Sequence, residues 1–216
     1  TRMCASASVP WSRVCNGAAG LSSAKLQVAS KADAYRVLRR CGLCHNAHMD
    51  RPANAITYLD APRLLKALSA GIGHVFQRRE YLNRINVFPV PDGDTGTNMA
   101  FTFKTILEAT HTSPDERVDD LMDHVAEAAL DGARGNSGAI MAQYFHGFRE
   151  AVAGRRELTP QGLAEAARAG AEAAWTAMSK PVQGTLPTVL EDFSHEISKR
   201  VSEGAKDIQS ILAHGI

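Results

Sequence analysis

From Leu59 onward, apolar residues recur at three- and four-residue spacing, as expected of helices with one buried face. Leu64, Leu65, Leu68, Ile72, Val75 and Phe76 give such a face over Ala61–Leu82. A second helix begins near Thr97, with Phe103, Ile106 and Leu107 inward. Val118, Leu121, Met122, Val125 and Ala129 define a third. Ile140, Met141, Tyr144, Phe145 and Phe148 define a fourth, opening near Ser137. Thr159-Pro160 reads as an N-cap followed by proline at the first helical position, and starts an Ala-rich fifth helix running to about Met178. Leu190, Phe193, Ile197 and Val201 mark a sixth. The one strand-like run, INVFPV, is broken by Pro89 and followed by Pro91, so the pattern predicts an all-α protein.

Three segments fit no period: residues 83–97, DGARGNSG at 131–138, and KPVQGTLP at 180–187. Each precedes a predicted helix, whose first turn exposes unpaired N–H groups and a partial positive charge. Three such junctions in one small domain suggest a phosphate site built by convergence.

The first junction, NVFPVPDGDTGTNM (Asn86 to Met99), gathers Asn86, Asp92, Asp94 and Asn98 around two prolines and two glycines. Asp92 and Asp94 flank Gly93, and a glycine-permitted turn lets two such carboxylates converge on one ion. Two or three hard oxygens, with water or phosphate completing the shell, is the pattern expected for Mg²⁺. The competing reading is a turn in which Asp94 or Thr95 caps the following helix. The second junction, GARGNSG, offers Asn136 and Ser137 as donors, Arg134 as a cation, and glycines that let the backbone approach a phosphate. It reads equally well as a helix–helix corner with a C-cap glycine at Gly132 or Gly135. Neither a Walker P-loop nor a dinucleotide fingerprint occurs in the chain.

Composition narrows the class. The chain has 216 residues, 44% hydrophobic and 22% charged, enough to bury the core of one globular domain. No run approaches the ~20 apolar residues of a membrane-spanning helix. The net charge of +1 conceals a basic segment: Thr1–Ile56 holds 8 Lys and Arg against 2 Asp and Glu, and the rest holds 16 against 21. An acidic body argues against a broad nucleic-acid surface and suits a protein that gathers divalent cations. Cys4, Cys15, Cys41 and Cys44 all fall in the basic segment, and a cysteine-free body is compatible with a reducing cytoplasm. Residues 1–55 are therefore expected to be a basic leader, disordered or non-native. Its composition resembles a transit peptide, but extra translated or fragment sequence ahead of a true start at Met49 is the preferred reading. CGLCH at 41–45 spells a c-type haem attachment site. With His45 and His48 its cysteines also suggest zinc, but the spacing is tight and coincidence in the leader is preferred.

Taken together, LNRINVFPVPDGDTGTNM, DGARGNSGAIMAQYFHGF and MSKPVQGTLPTV, in this order and spacing, resemble the nucleotide-binding domain of the dihydroxyacetone kinase L-subunit (DhaL) family. Within it they are most similar to the A subunit of bacterial fatty acid kinase. The resemblance covers about Ile56 to the C-terminus. It implies an antiparallel barrel of about eight helices that binds ATP with two Mg²⁺ at one end. Six helices read from the pattern then suggest a chain truncated before its last two, with an apolar flank exposed.

Carried over by residue, the resemblance implies that Asp92 and Asp94 are the paired metal-binding and catalytic aspartates. Asn86, expected at the metal site with Asp92 and Asp94, stands where the dihydroxyacetone branch has a third aspartate, a departure that points away from a sugar substrate. Thr95, Thr97 and Asn98 match the start of the phosphate-side helix. Asn136, Ser137 and Gly138 match the loop that holds phosphate oxygens. Gln183, Gly184 and Thr185 match a segment lining the nucleotide, with Pro187 an unusual substitution there. The implied acceptor is a fatty acid carboxylate presented by a DegV-type lipid-binding protein or fused domain, and family members are often homodimers. The alternatives are a non-catalytic nucleotide-binding regulator or scaffold, and phosphotransfer of the dihydroxyacetone type.

Overall fold

The computed structural model describes residues 55–87, 91–110, 116–178 and 182–214. The basic leader and CGLCH lie outside these residues, apart from Ala55. Seven α-helices occur among the described residues: α1 (Ala61–Ile85), α2 (Thr95–Thr110), α3 (Val118–Asp131), α4 (Gly135–Val152), α5 (Pro160–Thr176), α6 (Leu186–Ser202) and α7 (Ile208–His214). The only β-type pairing among them is an isolated antiparallel bridge between Leu59 and Leu158. The all-α expectation therefore holds. No helix among the described residues is long and apolar enough to cross a membrane.

The count corrects the expected six helices. The seventh spans only seven residues, too short for a periodic signal. A local cap and tertiary contacts, both through Asp207 and Ile208, hold it instead. Asp207 Oδ2 accepts from Ser210 N at 3.1 Å, while its Oδ1 accepts from Ile56 N at 3.0 Å. Ile208 N donates to Ile56 O at 2.8 Å, so α7 is tied to the segment that leads into α1.

Local chemistry explains the main helix starts. Asp60 accepts from Arg63 N at 3.0 Å and Pro62 sits in the first turn of α1. Thr159 accepts from Gly162 N at 3.1 Å ahead of Pro160 in α5, as the sequence predicts.

Successive helices pack on one another around Ile106, Val118, Leu121, Val125, Val152 and Leu158, all fully buried. A smaller cluster of Ala164, Ala167, Ile197 and Ile211 joins α5, α6 and α7. The Ala-rich face of α5 lets α4 come close: a Cβ at Gly147 would lie 2.5 Å from Ala169 O. By contrast α1, although 25 residues long, buries only Ala61 and Ile72 fully. Its Phe76, Tyr81 and Ile85 remain exposed.

Candidate active site

The last turn of α1 and the first turn of α2 meet without an intervening side chain. A Cβ at Gly96 would lie 2.3 Å from Arg79 O and 2.9 Å from Leu82 Cβ, so glycine is what permits the approach. Across this contact Asn83 Nδ2 donates to Thr97 Oγ1 at 2.9 Å, and Thr97 N donates to Asn83 Oδ1 at 3.1 Å. The start of α2 is thus capped from the neighbouring helix. Neither Asp94 nor Thr95 caps it through a side chain among the described residues, which removes the local capping alternative. Asp94 contributes its carbonyl, accepting from Asn98 N at 2.8 Å.

The turn before α2 reverses at Gly93, whose φ of +64° falls in the left-handed region. Asn86 Nδ2 donates to Asp92 Oδ1 across the loop, so the carboxamide orients that carboxylate. Asp92 is exposed and Asp94 half-buried.

The glycine cluster packs onto the same helix. Gly135 opens α4 at φ +58°, and a Cβ there would sit 2.2 Å from Asn98 Nδ2. A Cβ at Gly138 would lie 2.5 Å from Thr102 Oγ1. Ser137 is buried, and its Oγ donates to Thr95 O at 3.3 Å. Thr102, fully buried, accepts from Arg134 N at 3.3 Å and lies 3.1 Å from both Asn98 O and Gly132 O. The Arg134 guanidinium stacks 5.4 Å from the Phe101 ring centre. Asn136 is exposed in the first turn of α4.

Thr95, Asn98, Ser137 and Gly138 are therefore brought together, with Asp92, Asp94 and Thr97 in the adjoining turn. Gln183, Gly184 and Thr185 are not joined to them by any hydrogen bond among the described residues. Their bonds are local: Gly184 N to Thr188 Oγ1 at 3.0 Å, and Thr185 Oγ1 to Val182 O at 2.6 Å. Pro187 is buried in the first turn of α6, where its missing N–H costs no helical hydrogen bond. His124, His146 and His195 lie within the bodies of α3, α4 and α6.

Sequence reasoning passed over Asn83 and Thr102, which organise the two junctions. Asn83 falls seven residues after Phe76, so a polar residue continuing the apolar stripe was the available signal. Thr102 offered none.

No group of three or more His, Cys, Asp or Glu side chains that could hold a metal occurs among the described residues. Asp92 and Asp94 form a smaller set of hard carboxylate oxygens. Mg²⁺ usually keeps waters and takes one or two carboxylates together with substrate phosphates, so hard oxygens are the donor type it takes.

Comparison with known proteins agrees with this layout. The DAK2 domain family model matches residues 89–215, more than half of the chain. An uncharacterized protein of Staphylococcus epidermidis is 36% identical over 146 residues, covering 68% of this chain and 26% of its own length. One from Staphylococcus saprophyticus is 32% identical over 148 residues, covering 68% and 27%. One from Staphylococcus aureus is 38% identical over 122 residues, covering 56% and 22%. The chain spans about a quarter of the length of the curated relatives it matches. Because the match runs from the turn carrying Asp92 and Asp94 through the glycine cluster and on to α7, the chain belongs to the DAK2 domain family, a kinase-related, nucleotide-binding class of helical domain.

Proposed function

We propose that residues 56–216 form the phosphotransfer domain of a fatty acid kinase, using ATP and Mg²⁺. The acceptor is a fatty acid carboxylate presented by a DegV-type lipid-binding protein or fused domain. The observation that carries this reading is the Ser137–Thr95 contact, which sets the first turns of α2 and α4 side by side next to a turn bearing two carboxylates. Asn86 in place of a third aspartate favours an acid over a sugar as acceptor. A cytoplasmic location, where MgATP is supplied, goes with the reading.

In the reaction a carboxylate oxygen bonds to the γ-phosphorus as the bond to the β–γ bridging oxygen breaks, giving acyl phosphate and ADP. The acceptor is already ionised at neutral pH, so no general base has to remove a proton. Asp92 and Asp94, with Asn86 orienting Asp92, would hold Mg²⁺, which when bound would neutralise the triphosphate charge. Backbone N–H groups at the starts of α2 and α4 hold phosphate oxygens, aided by Thr95, Thr97, Asn98, Asn136, Ser137 and Gly138. Gln183, Gly184 and Thr185 line the nucleotide from the start of α6. Catalysis is then positioning and electrostatics.

The test is calorimetry of MgATP binding to the whole chain and to Asp92→Asn and Asp94→Asn. A DegV-type protein loaded with a long-chain fatty acid is then added, and acyl phosphate is trapped with hydroxylamine. Mg²⁺-dependent binding lost in both variants, with hydroxamate formed only when ATP and the loaded partner are present, supports the proposal. Binding without transfer identifies a regulatory nucleotide-binding module. Transfer to dihydroxyacetone identifies the sugar branch. A folded chain that binds no MgATP rejects the reading altogether.

A further inference from the structure

Helix α1 differs in charge from everything around it. It holds five Lys and Arg against one Glu, whereas the rest of residues 57–216 holds 11 against 20. Its apolar stripe turns inward, where Leu64, Leu65, Leu68, Val75 and Leu82 pack against the core. A second stripe runs at three- and four-residue spacing from Lys66 through Ala70, His74, Arg78 and Tyr81 to Ile85, and every one of these residues is exposed. Arg63 and Arg84 extend it at the two ends. The one carboxylate of the helix, Glu80, borders this stripe and is paired with Arg79 at 2.7 Å.

Lys66, Arg78 and Arg84 form no ion pair among the described residues, while Arg63 is shared between Asp60 and the Tyr58 ring. From Arg63 to Arg84 the cations extend over about 30 Å. At the far end Tyr81, Ile85 and Val87 are 49%, 52% and 67% exposed, and they adjoin Asn86, which orients Asp92. Apolar side chains gathered at one end of a cationic helix are not the scattered ones of an ordinary surface. Cations along the middle of a helix face suit it poorly to packing against another protein element, because interface cores are depleted in charge. The face is also an open ridge: a Cβ at Gly71 would meet nothing within 4 Å. Phospholipid head groups mould themselves to such a ridge, whereas a folded acidic protein would need a matching groove.

We propose that the outward face of α1 docks on an anionic phospholipid surface. Lys66, Arg78 and Arg84 meet head-group phosphates, Tyr81 lies at head-group level, and Ile85 and Val87 reach the acyl boundary. The acidic remainder of the domain turns away from the surface, and the turn carrying Asp92 and Asp94 lies beside it. Docking requires neither nucleotide nor metal, so the inference goes beyond the kinase reading and stands or falls separately from it.

The experiment is co-sedimentation of the full chain, without ATP, with vesicles of phosphatidylcholine alone or mixed with phosphatidylglycerol. Circular dichroism confirms folding of each variant. Binding is expected on the anionic vesicles only, and should weaken as salt is added. Each cation near such a surface is worth about fivefold, so Arg78→Gln combined with Arg84→Gln should weaken binding about 20-fold. Tyr81→Ser combined with Ile85→Ser should weaken it while leaving the salt dependence as it was. Arg168→Gln combined with Lys199→Gln, exposed cations on α5 and α6, should change nothing. Equal binding to both kinds of vesicle, or to neither, overturns the proposal. Undiminished binding of the Arg78/Arg84 double variant also overturns it, because the attraction then comes from the basic residues 1–56. Binding of soluble polyglutamate as tight as that of anionic vesicles identifies an acidic peptide as the occupant and overturns the lipid assignment. MgATP binding in the same preparation reports on the kinase reading independently.

Discussion

Asn83 and Thr97, fourteen residues apart and on different helices, hold each other through two reciprocal hydrogen bonds of 2.9 and 3.1 Å. One side chain thereby serves as the N-terminal cap of the next helix, on the far side of the loop that carries Asp92 and Asp94. Caps of this kind contribute about 1 kcal/mol. Asn83→Ala is expected to lower unfolding free energy by about 1–2 kcal/mol, since it also strips a partner from Thr97. Urea denaturation of the variant beside Thr97→Ala checks this. The double variant should lose clearly less than the sum of the two.

Glycines in α1 and α2 should respond oppositely to alanine. At Gly96 the obstacle is the Arg79 carbonyl, 2.3 Å from where a Cβ would sit, and a backbone atom cannot rotate away. At Gly73, within α1, nothing lies within 4 Å. Gly96→Ala is expected to cost upwards of about 2 kcal/mol by prising α1 from α2. Gly73→Ala should add about 0.5–1 kcal/mol through helix propensity. Thermal melts of the two variants against wild type decide it, and a Gly96→Ala protein as stable as wild type would contradict the described contact.

Asp207 joins the chain's two described extremities by bonding Ile56 N and Ser210 N with separate oxygens. Asp207→Ala should destabilise by about 1–2 kcal/mol. Hydrogen exchange should also show faster exchange at Ile56 and in α7, with the α3–α5 core unaffected. Uniform exchange changes across the molecule would argue against a local clamp.

Acid should weaken the start of α3 and the contact of the α4–α5 connection with α5. Arg117 makes a two-pronged contact with Asp119, Nε to Oδ1 at 2.9 Å and Nη2 to Oδ2 at 2.7 Å. Hydrogen bonding to Arg117 holds the Asp119 carboxyl below its ordinary range, and hydrogen bonding to Arg155 does the same for Glu165. A lowered folded-state value means the stabilisation is fully present above the unfolded value, near pH 4, and is lost as pH falls through the folded one. Acid unfolding monitored by circular dichroism should therefore begin at higher pH in Arg117→Met than in wild type.

Much of this molecule was legible before any coordinates. Helix α5 announces itself through Thr159-Pro160 because a cap is a contact between residues three apart. The buried stripe Val118, Leu121, Met122, Val125 and Ala129 is legible because a helix repeats every 3.6 residues, whatever it packs against. The irregular stretches before α2, α4 and α6 were equally visible, since glycine and proline interrupt a period locally.

Other features depended on which helices become neighbours. The seventh helix rests on Asp207 meeting Ile56, separated by 151 residues. The contact of the glycine cluster with α2 rests on Asn98, Thr102 and Thr105 filling the space that side chains at Gly135, Gly138 and Gly132 would need. Gln183, Gly184 and Thr185 read like their counterparts in the other two junctions, yet their described hydrogen bonds stay within their own turn. Periodicity and capping are encoded by residues a few positions apart. Which junctions share a site depends on close approaches between distant backbones, and those approaches are created by missing Cβ atoms rather than by any pattern along the chain.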